Sequence, residues 1–185
     1  MAQHTKKAIM ASFLRLINEK PLSQITVKDI VEDCGVNRKT FYYYFQDIFA
    51  LVDEGFQEEI QRAASSFTPD MAPEERIRSI LLFLLSNKKA ALHLYNSASH
   101  HQIERYLNQV GATTFQEYLH YKVGQLSCSQ EDIALLARFY ASATTGMMLD
   151  WISRGMEGDP APVIHRLCAM LQGTALLALQ NASQG

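Results

Sequence analysis

The sequence is poor in the residues that mark several large classes of protein. It has three cysteines, one tryptophan, nine glycines and five prolines in 185 residues. Charged residues make up 19% of the chain and hydrophobic residues 48%, which excludes the compositions of disordered, collagen-like and coiled-coil proteins. No run of residues approaches the roughly 18 apolar positions of a membrane-spanning helix. The length therefore predicts one compact domain, or a small domain joined to a larger one, with no membrane partner.

Metal-binding patterns are also missing. Cys34, Cys128 and Cys168 are far apart and form no Cys-x-x-Cys pair, so they indicate neither a disulfide framework nor a zinc site. His93 and His101 are not four residues apart on a helix, and no carboxylate or cysteine stands at ligand spacing from them. We expect no metal and no cofactor.

Catalytic and targeting motifs are equally scarce. The chain has no Gly-x-Ser-x-Gly, phosphate-binding loop, Gly-x-Gly-x-x-Gly or His-Glu-x-x-His motif, and adjacent carboxylates diverge around a helix rather than converge on a substrate. We therefore expect that the protein is not an enzyme. The first residues lead into an amphipathic stretch instead of the apolar block of a signal peptide, which predicts a cytoplasmic protein.

The small net charge of −2 hides an asymmetry along the chain. Residues 1–45 carry seven Lys or Arg against four acidic residues, whereas the rest of the chain carries ten basic and fifteen acidic residues. A basic head on an acidic body is typical of a protein in which only the head meets a polyanion. A split of this size also arises by chance, so the charge alone leaves both interpretations open.

Apolar residues recur at helical spacing along the whole length, and no run alternates as a strand would. The sequence thus predicts an all-α fold of about nine helices. They cover residues 5–19, 27–33, 38–44, a longer stretch after Asp47, 74–86, 88–97, 101–123, 130–154 and 162–180. Thr26, Asn37 and Asp47 are predicted N-caps, with Asp29 completing a capping box after Thr26. Residues 68–73 form the clearest linker.

Residues 25–45 carry the most informative pattern. Two short predicted helices are joined by a tight turn that contains Gly35, which is the plan of a helix-turn-helix unit whose second helix enters the DNA major groove. Apolar positions account for the packing of the two helices, and Arg38, Lys39, Tyr42 and Tyr43 remain on the outside of the second. Any small three-helix unit contains such a turn, and tyrosine clusters are common in cores, so spacing alone leaves DNA binding and plain packing open.

The same stretch resembles the N-terminal domain of TetR-family transcriptional regulators. The family pattern has an Ile-Thr-Val start, a Gly-Val turn and a Thr-Phe-Tyr-Tyr-x-Phe recognition helix, and all three are present in order. The resemblance is specific over about residues 5–60 and architectural beyond them. It implies a helix-turn-helix DNA-binding domain at residues 1–47 and a larger helical effector-binding and dimerisation domain at residues 48–185.

The resemblance also implies which side chains meet double-stranded DNA. These are Thr26, Lys28, Asn37, Arg38, Lys39, Thr40, Tyr42, Tyr43 and Tyr44. Lys39 stands where the family often has glycine and Tyr44 where it often has histidine, so base preference is not transferable. Ile48 replaces a common lysine, and Asp47 beside it adds negative charge, which removes one expected phosphate contact.

For the larger part of the chain, the resemblance implies a homodimer formed through the last two helices, a palindromic operator and an unidentified small-molecule effector. Much apolar surface and a set of small residues favour helix pairing independently; an ordinary buried hairpin is the alternative. The small residues are Ala137, Ala141, Ala143 and Gly146 on the first of these helices and Gly173, Ala175 and Ala178 on the second. Repression is the commoner mode in the family. We expect a pocket lined by apolar and aromatic residues, suited to a flat or apolar ligand. Its candidate residues are Phe83, Leu84, Tyr95, Phe115, Tyr118, Tyr140, Met147 and Trp151.

A second interpretation follows from a weaker resemblance. The Phe-Tyr-Tyr-Tyr-Phe-Gln-Asp run and the segment at residues 151–156 are similar to a TetR-like subgroup that includes activators of dihydroxyacetone kinase genes. Some of its members have lost DNA binding and act through a partner. A coactivator that works through a protein partner or a small ligand is therefore the alternative to a DNA-binding regulator, and Ile48 favours it.

Overall fold

The computed structural model describes residues 2–68, 70–123 and 129–182, and within these ranges the chain forms nine α-helices and no strand. The helices are α1 (Ala2–Glu19), α2 (Val27–Cys34), α3 (Arg38–Tyr44), α4 (Ile48–Ser66), α5 (Pro73–Ser86), α6 (Lys88–Tyr95), α7 (His100–Val123), α8 (Gln130–Ser153) and α9 (Ala161–Ala182). The predicted all-α class and helix count are confirmed. A short 3₁₀ turn at Leu22–Gln24, which periodicity is too coarse to show, follows Pro21.

The structure divides into two compact units. One comprises Met1–Glu59 with Ser86–Ile103, and the other Ile60–Leu85 with Glu104–Gly185. The first unit thus contains more than the three helices of a helix-turn-helix domain, because the start of α4 and all of α6 pack with them. The boundary at residue 47 between a DNA-binding and an effector-binding domain is defined by function and not by compactness, and it stays a prediction.

The first unit is built around α1. Five apolar side chains of this unit have no exposed surface, namely Ile9, Ile17, Ile30, Phe41 and Leu51. Helix α6 packs on α1, and its His93 donates from Nδ1 to the carbonyl oxygen of Ile17 at 2.7 Å. This carbonyl lies in the last turn of α1, where helix carbonyls have no partner within their own helix. His93 therefore ties α6 to the end of α1.

The second unit contains a buried cation. Arg76 is fully buried and donates from Nη1 to the carboxylate of Glu117 and from Nη2 to the carbonyl oxygen of Thr68. Its guanidinium also lies 5.2 Å from the centre of the Phe67 ring. Glu117 is on α7 and is partly exposed, and Thr68 lies in the linker before α5. Arg76 therefore ties the start of α5 both to α7 and to the linker.

Cys34 is half-buried, Cys168 is buried, and neither forms a disulfide, while Cys128 lies outside the described residues. Burial raises the pKa of the Cys168 thiol to about 11, which keeps it protonated and unreactive. No three His, Cys, Asp or Glu side chains in the described ranges converge as metal ligands would. In the same ranges, no helix combines the length and the apolar character needed to cross a membrane.

Candidate nucleic-acid interface

Helix α2 begins with a complete capping box. The backbone N–H of Asp29 donates to Thr26 Oγ1 at 3.2 Å, and the backbone N–H of Thr26 donates to Asp29 Oδ2 at 2.9 Å. Lys20 Nζ donates to the same carboxylate oxygen at 2.9 Å. The ammonium of Lys20, followed by the Thr26 donors, lowers the pKa of Asp29 to about 2. The predicted cap is confirmed, and it needs Asp29 in its ionised form.

The capping box makes the stability of the chain depend on pH. The folded pKa of Asp29 is about 2, below the value of about 3.9 for a free aspartate, so its ionised form contributes stability above pH ~4 that is lost as the pH falls towards 2. We expect Asp29→Asn to lower the thermal midpoint at pH 6 and this difference to narrow between about pH 4 and 2.

Thermal unfolding followed by circular dichroism over this range measures the effect. Glu104→Gln, which neutralises an exposed carboxylate on α7, is the control and should shift the midpoint little at either end. A difference between wild type and Asp29→Asn that stays constant down to pH 2 would contradict the pairing of Asp29 with Lys20 and Thr26.

A left-handed glycine and a second cap set the turn between α2 and α3. Gly35 has φ of 70°, and the N–H of Val36 donates to the Val31 carbonyl at 3.1 Å; a residue with a Cβ rarely adopts this conformation. Asn37 then caps α3, accepting from the N–H of Thr40 at 2.8 Å and from the Thr40 hydroxyl at 3.0 Å. Turn and cap together fix where α3 begins.

Helix α3 has one buried side and one exposed side. Phe41 is completely buried in the core of the first unit. Arg38 and Lys39 are exposed, and Tyr42 and Tyr43 expose 50% and 79% of their surface. Tyr43 is the most exposed large hydrophobic side chain among the described residues. The exposed side of α3 is formed by Arg38, Lys39, Tyr42 and Tyr43. We call it the α3 face.

The distribution of ion pairs concentrates free positive charge on the α3 face. Four cations of the first 45 residues pair with acids of the same unit: Lys6 with Glu54 at 2.6 Å, Arg15 with Asp33, Lys20 with Asp29, and Lys28 with Glu32 at 3.7 Å. Lys7, Arg38 and Lys39 form no ion pair within the described part of the chain. Two of these three cations thus stand side by side at the start of α3.

The remaining residues expected at DNA lie around this face. Thr26 and Lys28 are exposed at the start of α2, and Thr40 is half-buried. Tyr44 is also half-buried and packs against the core of the first unit, as does Ile48. Asp47 accepts from the N–H of Ala50 at 2.8 Å as the N-cap of α4, so its charge serves the helix terminus.

The structure does not bring the eight expected pocket residues together. Met147 and Trp151 line a cavity of about 210 Å³, and Phe115, Tyr118 and Tyr140 line a second one of about 10 Å³. Phe83 and Leu84 line neither of these, and Tyr95 belongs to α6 in the first unit. Helical periodicity shows that a residue faces the interior, but it does not distinguish a residue packed in the core from one that lines a cavity. Sequence reasoning missed the charged residues of the larger cavity, among them Glu157 and Asp159, whose signal is the glycine-rich turn after α8.

Two family profiles match the chain. The profile described as bacterial regulatory proteins of the tetR family matches residues 9–54, and the profile described as a transcriptional regulator C-terminal region matches residues 72–173. The first match contains α2, α3 and the α3 face, and the second covers more than half of the chain.

Individual proteins agree with these profiles. The HTH-type transcriptional regulator EthR of Mycolicibacterium smegmatis (strain ATCC 700084 / mc(2)155) is 37% identical over 60 residues, which are 32% of this chain and 28% of that protein. Among solved structures, the dihydroxyacetone kinase operon activator DhaS superposes with a TM-score of 0.74 at 18% identity, covering 92% of this chain and 95% of that one. The fatty acid degradation regulator FadR from Bacillus halodurans gives 0.63 at 18% identity, covering 91% and 95%. At these identities the structures show a shared fold, while the profile matches show that the chain belongs to the TetR family of bacterial transcriptional regulators.

Proposed function

We propose that this regulator binds a palindromic DNA operator as a homodimer and acts in the cytoplasm as a ligand-responsive repressor. The observation that carries the proposal is the α3 face, on which two unpaired cations and two exposed tyrosines share one side of the second helix of a helix-turn-helix unit. Internal ion pairs neutralise the neighbouring cations, so the unpaired positive charge of Arg38 and Lys39 remains available to a polyanion.

Each residue type on the α3 face has a counterpart in the major groove. Arg38 and Lys39 can contact phosphates or the O6 and N7 acceptors of guanine. Tyr42 and Tyr43 can donate to phosphates and pack on thymine methyl groups. Thr26, exposed at the N-terminus of α2, presents its hydroxyl and a helix terminus to the backbone of the DNA. These contacts position α3 and allow it to read bases.

The surface of α8 and α9 supports a homodimer. On α8, Leu135 and Phe139 expose 57% and 64% of their surface, and Val163, Met170 and Leu177 on α9 are more than half exposed. On each helix these positions recur at helical spacing and form one stripe. Exposed apolar stripes of this extent are typical of an interface between protein chains. Two heads held about 34–36 Å apart would read the half-sites of a palindrome.

The larger cavity of the second unit supports a response to a ligand. A ligand changes DNA affinity only if it binds better to one arrangement of the two heads than to the other. The cavity of about 210 Å³ between α5, α8 and α9 is the larger candidate, because its volume accommodates a small molecule and part of its lining is on the helices proposed to form the dimer.

Selection of bound sequences from a random duplex pool, followed by a salt titration of the selected DNA, tests the proposal. We expect an inverted repeat to be enriched. If the two heads together contact six or more phosphates, the affinity should fall by about 1,000-fold between 50 and 200 mM salt. Absence of enrichment by a folded protein would overturn the proposal in favour of a coactivator that acts through a partner.

A further inference from the structure

The larger cavity of the second unit lies between α5, α8, α9 and the turn that joins α8 to α9. Its floor is apolar and is formed by Ile77, Leu81, Met148, Trp151, Ile164 and Leu167. The volume of about 210 Å³ corresponds to roughly seven water molecules and is below the ~300–1,000 Å³ of sites for drug-sized ligands. The cavity therefore suits a small molecule with an apolar body.

The mouth of this cavity is acidic. Asp150, Arg154, Glu157 and Asp159 are its charged residues, and all four are exposed. Arg154 Nη2 donates to the carboxylate of Asp150 one turn earlier on α8, so this cation is already neutralised. Glu157 and Asp159 form no ion pair among the described residues. Asp159 Oδ1 accepts from the backbone N–H of Ala161 at 2.9 Å, at the start of α9. The opening of the apolar cavity thus carries a net negative charge, with the Glu157 carboxylate not in an ion pair and the Asp159 carboxylate shared with the helix terminus.

An unusual turn holds these carboxylates in place. Gly155, Met156 and Gly158 have φ of 77°, 55° and 74°, and a left-handed non-glycine residue such as Met156 persists only where its surroundings hold it. The Met156 side chain is buried, and Trp151 donates from Nε1 to the carbonyl oxygen of Glu157 at 3.1 Å. The turn is therefore anchored both through Met156 and to the floor of the cavity.

We propose that the cavity binds a small organic cation, with its aromatic or aliphatic body on the floor and a primary ammonium group facing Glu157 and Asp159. The two carboxylates offer the ammonium charge-assisted hydrogen bonds. They repel an anion, for which the only cation of the lining, Arg154, is already paired. The inference deepens the proposed ligand response and rests on it for its regulatory meaning, while binding to the cavity is measurable without DNA.

The single tryptophan of the chain, Trp151, lies on the cavity floor and reports occupancy through its fluorescence. Three probes with the same apolar body separate the effect of charge: 4-phenylbutylammonium, 4-phenylbutan-1-ol and 4-phenylbutyrate. We expect a saturable change with the ammonium probe, weaker binding of the alcohol and the weakest binding of the carboxylate.

Variants locate the charge effect. Glu157→Gln with Asp159→Asn should lower the affinity for the ammonium probe by about 5- to 10-fold, as expected for two exposed pairs. The affinity for the alcohol should stay unchanged. Glu104→Gln with Glu131→Gln removes the same charge from exposed positions outside the cavity and should change neither.

Equal binding of the three probes, no saturable signal, or equal losses in the two double variants would overturn the inference. A protein that selects an inverted repeat but binds none of the probes would refute the cation site and leave the proposed DNA-binding function intact. Binding of the ammonium probe by a protein that selects no DNA would support the cation site and refute the proposed DNA-binding function.

Discussion

Replacing Lys39 and Tyr42 by alanine is expected to abolish specific DNA binding while the fold stays intact. Both side chains are exposed on α3 and neither takes part in an ion pair or a hydrogen bond within the described residues. A base contact contributes about 1–3 kcal/mol. With two contacts in each of two heads, we expect the affinity for the selected operator to fall by about 1,000-fold or more.

Fluorescence anisotropy with labelled operator measures this loss, and circular dichroism and light scattering verify helix content and mass. The matched control is Lys89→Ala with Tyr121→Ala, which removes one exposed lysine and one exposed tyrosine from α6 and α7. This control should bind the operator like the wild type. If the Lys39 and Tyr42 variant also did so, the assignment of α3 as the recognition helix would be wrong.

The helix-turn-helix unit was predictable from the sequence because short-range chemistry determines it. Thr26 with Asp29, the left-handed Gly35 and the Asn37 cap all act within a few residues of where they stand. The bounds of α3 consequently agree with the prediction at both ends. Which of its side chains are exposed also followed from helical periodicity.

The composition of the compact units was not predictable in this way. Helix α6 follows the linker in sequence, yet it packs in the first unit, where His93 bonds to Ile17. That contact joins residues 76 positions apart, and periodicity carries no information on such pairs. The same limit explains why Tyr95 was grouped with residues of the other unit.

The charged residues at the mouth of the larger cavity were not predicted from the sequence, for a different reason. Glu157 and Asp159 lie in a turn, and charged residues in turns are normally solvated surface. The left-handed residues of this turn, the bond from Trp151 to the Glu157 carbonyl and the bond from the Ala161 N–H to Asp159 place them at the opening. An apolar ligand was therefore expected where the structure offers an apolar floor and an acidic mouth.

Gly146→Arg is expected to separate the proposed dimer and thereby weaken operator binding by about 100-fold or more. A glycine inside a helix costs about 0.5–1 kcal/mol relative to alanine, and it persists where something needs the space. At Gly111 the missing side chain leaves room for Ala141 of the same chain, because a Cβ there would lie 3.2 Å from the Cβ of Ala141. A Cβ on Gly146 would meet nothing within 4 Å.

The space beside Gly146 is on the exposed side of α8, in line with Leu135 and Phe139. We infer that a helix of the second protomer approaches there. In a two-fold interface an arginine at this position enters the contact twice, so bulk and charge both oppose association. Two untethered heads lose the advantage of binding together, which is about 100- to 10,000-fold in affinity.

Sedimentation velocity measures the oligomeric state, and anisotropy measures operator affinity. Gly146→Ala should remain dimeric, since one methyl group is a far smaller obstacle than arginine. Thr113→Arg adds the same side chain at an exposed position of α7 and should leave both mass and affinity unchanged. A Gly146→Arg protein that sediments as a dimer and binds the operator like the wild type would place the interface away from this face of α8. A monomer with normal helix content and weak operator binding would instead tie DNA affinity to pairing through α8, since no residue of the α3 face is altered in this variant.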